Sequence, residues 1–381
     1  MGSGRQNPKQ FGQLLKIAVR KIALLENKNI GLIQDELGYL LGRDSGGVPI
    51  QFWERGHIPP HPEEVEQLVQ ALRQRGGLSA DEARQLYRAA GTMPLAQPSG
   101  HAFIAGPPIS QPRHFFGRVY ELQRLFGLWS ATAVPLQNAA IIGPRGSGKT
   151  SLLLYLPAIT TTPASQLRPG QRRDWLRQPD HYRWIFVDFR NPRLSTRPGL
   201  MDYLLSCLGL PGVGNGRLDQ FVERISQAID QPTIILLDEI DLALARHDEL
   251  DDAFWDSLRA LASTLVNGNL AFVLSASDRP QQVAQRHNRS SDFFSIFGYT
   301  ARLGPFTVAE AHELIAAAPH PPSAADTAWM LEKSQRWPLL LQILCREHQI
   351  SHDDSPKPLG PEWRNEALRQ LQPFQHLLND E

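Results

Sequence analysis

Cysteine, lysine, net charge and long apolar runs are all scarce in this chain, and each scarcity closes off a class of protein. The two cysteines, Cys207 and Cys345, sit in apolar helical runs and read as buried free thiols, so no disulfide framework is implied. Thirty-nine Lys and Arg balance thirty-nine Asp and Glu, which leaves no global field to draw the whole chain to nucleic acid or to an anionic membrane. No apolar stretch approaches the ~20 residues of a membrane span, and no hydrophobic signal core follows the polar N-terminus. The expectation is a cytoplasmic protein without membrane contact. Lysine is the most telling shortage. Between Lys28 and Lys333 there is one, Lys149, in a chain that otherwise uses arginine.

Lys149 belongs to Gly143-Pro144-Arg145-Gly146-Ser147-Gly148-Lys149-Thr150-Ser151, which matches the phosphate-loop pattern G-x-x-x-x-G-K-[ST]. Upstream, Gln137–Ile142 reads as a buried strand. Downstream, Ser151–Leu156 reads as a helix stopped by Pro157. The glycines let the backbone wrap a polyphosphate, so that successive N–H groups and the helix N-terminus point at the anion. Lys149 then reaches the β- and γ-phosphates, and the Thr150 hydroxyl ligates Mg²⁺. ATP and Mg²⁺ are the expected ligands.

About ninety residues later, Thr233-Ile-Ile-Leu-Leu-Asp238-Glu239 is an apolar run ending in two carboxylates. It reads as a second parallel strand buried on both faces. Asp238 at its tip is expected to hold Mg²⁺, and Glu239 to orient the attacking water, since phosphoryl transfer asks mainly for positioning and charge stabilisation. Asp241 is read as a surface residue. A third run, Leu270–Ser277, ends in a polar tip where Ser277, or alternatively Ser275, is placed to sense the γ-phosphate.

With these stretches in view the chain resembles the AAA-like ATPases, and within them the signal-transducing STAND branch, over roughly residues 113–350. Phe115-Phe116-Gly117-Arg118-Val-Tyr-Glu121-Leu122 is similar to the family's "F-x-G-R-x-x-E-L", which implies that Phe116, Gly117 and Arg118 line the adenine pocket. Thr300–Ala311 resembles the last strand and the first lid helix. The family's Gly-x-Pro at a lid helix is met only in part. Pro338 matches and implies a nucleotide contact, whereas Arg336 stands where glycine is expected and is read either as a phosphate contact or as a surface residue.

The implied architecture is a three-layer α/β P-loop NTPase with a mainly parallel sheet of about five strands, flanked by an all-α N-terminal bundle and a C-terminal helical lid. Its expected parts are a disordered tail (1–10), a helical domain (11–91), a Pro/Gly/Ser/Gln-rich linker (92–113), an ATPase core (114–304) and a lid (305–381) in which Ser351–Pro361 reads as a loop before a last helix, Glu362–Leu378. Five helices are expected in the second part, the last opened by a capping-box spacing from Ser79. In the third from last, Ile50-Gln51-Phe52-Trp53-Glu54-Arg55-Gly56 and the preceding Leu32–Leu37 resemble the Cro/C1-type helix-turn-helix family, with Gly42 at the turn. That resemblance implies DNA contact through Arg43 and Gln51, with Lys16, Arg20 and Lys21 on phosphates. Two departures stand against it. The stretch from Gly42 to Ile50 is longer than the family's, and it contains Gly46, Gly47 and Pro49. The twelve Lys/Arg against ten Asp/Glu in residues 1–91 are also a weak footprint for a DNA reader.

Two further clusters are candidates. Arg168, Arg172, Arg173, Arg177 and Arg183, with Trp175 among them, read as a solvated loop or as a grip on a nucleic-acid backbone. Asp278–Ser291 reads as too polar for a core, and one of Arg279, Arg286 and Arg289 is a candidate to reach a neighbouring subunit's nucleotide. The expected function is a slow, ATP-dependent, oligomerising switch. It acts either on DNA, in transcription, transposition or defence, or as a signalling ATPase whose N-terminal bundle docks a protein. The chain stops soon after the lid, where relatives of the signalling branch carry long sensors, and this is expected to favour the DNA-acting class or a sensor or effector on a separate chain.

Overall fold

A computed structural model of the chain describes residues 7–41, 43, 45–59, 62–78, 80–91, 103–130, 135–168, 171–214, 216–354, 360 and 362–379. It divides into two compact units, Met1–Gly100 and His101–Glu381.

The first unit is helical: α1 (Pro8–Leu25), α2 (Ile30–Leu40), α3 (Val48–Glu54), α4 (Pro62–Gln74) and α5 (Ala80–Ala89). In α1 the apolar residues Phe11, Leu15, Ala18, Val19 and Ile22 recur at helical spacing and are buried against Leu37, Trp53, Leu68, Leu72 and Leu86. Asn29 caps α2 by accepting the Leu32 N–H at 2.7 Å. Helix α1 begins at Pro8, so the expected disordered tail does not extend to residue 10, because Pro at the first position suits a helix start and Asn7 caps it. The Gly42 turn, the Ser79 cap and the first half of the linker lie outside the described residues.

The second unit is built on a five-stranded sheet. In chain order its elements are α6 (Val119–Gly127), β1 (Ala139–Ile142), α7 (Lys149–Thr161), β2 (Arg183–Asp188), α8 (Arg197–Cys207), α9 (Leu218–Ala228), β3 (Thr233–Asp238), α10 (Ile240–Arg246), α11 (Asp252–Ala260), β4 (Leu270–Ala276), α12 (Pro280–Arg286), β5 (Tyr299–Arg302), α13 (Val308–Ala316), α14 (Ala324–Ser334), α15 (Pro338–Asp354), α16 (Glu362–Leu371) and α17 (His376–Asn379). The strand order is β2-β3-β4-β1-β5 and every pairing is parallel. Strands β1, β3 and β4 are buried at every position, as a parallel sheet covered on both faces requires. One face packs under Phe221, Phe254, Trp255, Phe293 and Phe294, the other under Phe126, Trp129, Leu152, Tyr155 and Leu156. Helices α13 to α17 gather around a separate core that includes Phe306, Trp337, Leu344 and Trp363.

Several expectations are corrected. Helix α7 runs through Pro157 to Thr161, because Leu152, Leu153, Leu156 and Ile159 stay buried on one side and outweigh the lost hydrogen bond. Helix α15 continues to Asp354, where a loop was expected from Ser351. The expected last helix ends at Leu371, and a short 3₁₀ turn at Gln372–Phe374 precedes α17. Asp278–Ser291 is not a purely polar edge. Its helix α12 buries Pro280, Val283 and Ala284, the last two in the core beneath the sheet. Cys207 is exposed at the end of α8, and only Cys345 is buried. Among the described residues, no helix is long and apolar enough to cross a membrane.

Candidate functional site

The parallel register lines up the strand ends that matter. Asp188 of β2 pairs with Asp238 of β3, Leu237 with Leu274 of β4, and Ile142 of β1 with Ala276. The carboxyl edge of a parallel sheet therefore carries the glycine-rich loop beside three acidic side chains, the usual place for a ligand in such folds.

The loop leaves β1 at Gly143 and enters α7 at Lys149. Gly143 has φ +153°, and a Cβ there would sit 2.7 Å from the Leu303 carbonyl, so only glycine fits. The Lys149 ammonium is turned onto the loop's own carbonyls, 2.7 Å from Gly143 O and 3.1 Å from Pro144 O. Burial lowers the Lys149 pKa, and Glu239, Asp241 and Asp238 oppose that shift. The Ser147 hydroxyl is buried without a hydrogen-bond partner, a donor of the kind a bound phosphate would satisfy.

Thr150 at the start of α7 donates to Asp238 Oδ2 at 2.9 Å. Ser275 donates to the other oxygen, Asp238 Oδ1, at 2.5 Å, and accepts the Glu239 N–H at 3.0 Å. Asp238 is fully buried, while Glu239 is partly open to solvent on a backbone with φ +63°. Burial and the neighbouring Asp238 carboxylate raise the Glu239 pKa, partly offset by Arg190 and Lys149. The Thr150 hydroxyl and the Asp238 carboxylate are hard oxygen donors within reach of one another, a set that suits Mg²⁺.

Sequence reasoning missed Arg190. From the loop after β2 its Nε donates to Asp188 Oδ1 at 2.9 Å, and its Nη atoms lie 3.3 Å from Asp238 Oδ2 and 3.8 Å from Glu239 Oε1. Its single positive charge faces all three carboxylates. The only sequence signal was its place just past an apolar strand ending in Asp.

Of the two serines at the tip of β4, Ser275 meets the carboxylates. Ser277 instead bonds Asp241, through its N–H at 2.8 Å and through its hydroxyl. Asp241, half-buried in the first turn of α10, anchors that tip.

Arg118 is buried, with φ +61°, and its guanidinium donates to Gly304 O at 2.6 Å and Ser147 O at 3.2 Å. Its backbone N–H donates to Glu310 Oε1 at 2.5 Å. Desolvation lowers its pKa, opposed by Glu121 and Glu310. Arg118 thus ties the phosphate loop to the exit of β5 and to α13. Phe116 lies under the Arg168 guanidinium at 3.9 Å, and Gly117 closes on Phe306 and Glu310.

Arg336 takes φ +64°, the left-handed conformation that glycine favours, which explains where the resemblance expected one. Its guanidinium donates to Phe306 O at 3.1 Å, and Pro338 opens α15 just beyond. At the other end of the chain, His376 approaches Arg145 O at 3.1 Å, and Leu339 and the buried Leu377 together fill the space where a Gly146 side chain would stand.

Trp175 is buried and stacks on Phe126 at 5.3 Å, and Arg168 is spent on Phe115 O and Glu313. In the first unit, Arg43 pairs with Glu64, and Gln51 donates to Gln34 Oε1 at 3.1 Å.

A central strand that turns through a glycine-rich loop into a helix, with a carboxylate strand two places away, defines a P-loop nucleoside triphosphatase fold. Residues 137–280 match the family described as an AAA domain. Among solved structures, the Walker-type ATPase of Pyrococcus abyssi is 15% identical, over 71% of this chain and 76% of that one, with a TM-score of 0.47. The ORC2 protein of Aeropyrum pernix is 13% identical over 72% of each chain, at 0.48. The Holliday junction branch migration motor RuvB of Thermotoga maritima is 16% identical over 69% and 72%, at 0.43. These likenesses are too distant to add to the family match. No curated protein matches the chain.

Proposed function

We propose that this protein binds ATP with Mg²⁺ between the phosphate loop and the Asp238–Glu239 tip, hydrolyses it slowly, and uses nucleotide state as a switch. The observation that carries the reading is the contact from Thr150 to Asp238, with Lys149 and the unpartnered Ser147 hydroxyl beside it. In this account Lys149 leaves the loop carbonyls to take the β- and γ-phosphates, and the N-terminus of α7 receives the anion. Mg²⁺, held by Thr150 and Asp238, offsets phosphate charge. Ser275 fixes Asp238, and Glu239 orients the attacking water. Arg190 keeps the carboxylates together until phosphate charge arrives. Ser277 remains the candidate γ-phosphate contact at the β4 tip. Phe116 and Gly117 border the adenine. Arg118 shapes that wall, because its guanidinium is already committed to Ser147 and Gly304. Helices α13 to α17 act as the lid, with Pro338 facing the nucleotide.

Assembly belongs to the same reading. Arg279 is exposed at the start of α12, whereas Arg286 is held by Asp278 at 2.5 Å, so Arg279 is the better candidate to complete a neighbour's site in a homo-oligomer. Light scattering of the Glu239→Gln variant tests the switch. Assembly is expected with ATP and not with ADP, and a monomer under saturating ATP overturns it.

The N-terminal unit is proposed as the output element, with α2 and α3 forming a helix-turn-helix that contacts DNA through Arg43 and Gln51. A second reading, protein docking, has one specific observation behind it. The outward residues Tyr39, Leu40, Val48 and Phe52 are 63%, 60%, 62% and 50% exposed, an apolar surface rather than a basic one. A mobility-shift assay on duplex DNA across a salt series separates the two. ATP-enhanced binding that falls steeply with salt supports the first, and no shift at low salt leaves docking of a separate protein.

A further inference from the structure

Away from the nucleotide site, two imidazoles and a carboxylate meet at one edge of the C-terminal helices. His320 lies in the turn between α13 and α14, while His352 and Asp353 are in the last turn of α15. The rings of His320 and His352 stack with centroids 3.9 Å apart and planes 10° from parallel. His320 Nε2 is 3.9 Å from Asp353 Oδ1, and the three side chains offer ligand atoms that all lie within 4.8 Å of one another. One turn earlier on the same helix, His348 is buried edge-on against Trp363 at 5.0 Å. Nearby Asp326 is already engaged by Arg364 at 2.7 Å, so it is not free to join the group.

We propose that His320, His352 and Asp353 form a binding site for a divalent transition-metal ion of the Zn²⁺ class, independent of the Mg²⁺ proposed at the nucleotide. The donor set decides the class. Imidazole nitrogen suits Zn²⁺, Ni²⁺ or Cu²⁺, whereas Mg²⁺ and Ca²⁺ are held by oxygen. Three protein ligands with water in the fourth position make a tetrahedral centre. With Zn–N bonds of ~2.0–2.1 Å, the ligand atoms of such a centre stand about 3.3 Å apart, so binding requires the stacked rings to rotate out of parallel until both nitrogen lone pairs converge, closing the present spacing by up to about 1.5 Å. His320 and Asp353 have that freedom, since their side chains are 48% and 51% exposed. The backbones behind them are firm, because α15 is anchored by the buried Leu340, Leu341, Leu344 and Cys345. An ion here would bolt the α13–α14 turn to the end of α15 and tighten the C-terminal helices as a group.

The test uses the full chain, prepared without a polyhistidine tag and stripped with chelator, and titrated with Co²⁺ as a spectroscopic stand-in for Zn²⁺. The expected result is one Co²⁺ per chain with the intense visible bands of a four-coordinate centre, bleached by Zn²⁺. His352→Asn and His320→Asn should each weaken binding at least about tenfold, as loss of one ligand does in metal sites. His312→Asn, at an exposed histidine on α13, should bind as the unaltered protein does. Zn²⁺ should also raise the melting temperature of the unaltered protein and leave that of His352→Asn unmoved, a readout independent of nucleotide. Weak octahedral Co²⁺ spectra, or equal binding by all three variants, would overturn the site. Asp353→Asn, a near-isosteric change at the surface, guards against misreading a folding defect as lost ligation.

Discussion

The phosphate loop and helix α3 were both singled out by short sequence patterns, and they differ in what they leave uncovered. Around the loop, polar atoms converge. Lys149 is turned inward, Ser147 has no partner, and Thr150, Ser275 and Arg190 all point at one buried carboxylate. Around α3, the polar side chains that the pattern singled out are already paired. Gln51 is bonded to Gln34, Arg43 to Glu64, and Asp35 to the Gly47 N–H at 2.8 Å, while Val48 and Phe52 face outward. A pattern that encodes backbone conformation around an anion brings its chemistry with it. A helix-turn-helix pattern encodes mainly how helices pack, and the side chains it presents have to be read one by one.

The largest effect that sharpens this contrast is at Glu239. Replacement by Gln should lower ATP hydrolysis by ~10²–10³-fold, the scale of losing one preorganised group, while ATP binding persists. If Glu239 orients the attacking water as proposed, it also sets the acid limb of the rate profile. Its carboxylate must be ionised to orient water, and burial with the Asp238 charge raises its pKa above the ordinary 4.5. Activity should therefore fall, on acidification, at a higher pH than an exposed glutamate would give. A limb unchanged in an Asp238-intact, Arg190→Gln variant would speak against this, since removing the offsetting cation should move it further up.

Next in size is the outward face of α3. If that unit docks a protein, Phe52→Ser should weaken the partner by more than about 1 kcal/mol, as truncating an aromatic anchor does, and Arg43→Ala should do little. If it reads DNA, the order is reversed in a gel-shift titration.

A smaller effect is expected where the chain end meets the loop. Leu339 and Leu377 fill the space over Gly146, and His376 approaches the Arg145 carbonyl. Leu377→Asp should speed release of a fluorescent ATP analogue by about 5- to 10-fold, equivalent to about 1–1.4 kcal/mol. Stopped-flow rates equal to those of the unaltered protein would show that the contact does not govern the site.

The smallest concerns the stability of the N-terminal unit. The hydrogen bond from Arg75 holds the Glu26 pKa down at about 2 from an ordinary 4.5. A depressed folded-state pKa contributes stability that is present above the unfolded value and is lost as pH falls through the folded one. Melting of this unit should thus weaken between 4.5 and about 2, and less so in Glu26→Gln.

The sheet and the two nucleotide motifs were legible because each is local. Ile234–Leu237 is apolar throughout, as the middle of a doubly covered strand must be, and the residues from Gly143 to Thr150 are one continuous stretch of chain. What escaped depends on tertiary distance. Arg190 acts on Asp238 across 48 positions, and His376 reaches Arg145 across 231. Pro157, Cys207 and Asp278–Ser291 were misread for the opposite reason. Local propensity and polarity were followed there, and burial of Leu156, the turn after α8 and burial of Val283 decided otherwise.

The most direct measurement is equilibrium titration of the Glu239→Gln protein with ATP, with and without Mg²⁺, beside the same protein carrying Lys149→Ala. The account predicts one ATP per chain, tighter with Mg²⁺. It also predicts an affinity about 100-fold weaker once Lys149 is removed, the loss of two charge-assisted hydrogen bonds to phosphate. ATP affinity that is unchanged by Lys149→Ala and indifferent to Mg²⁺ would contradict it.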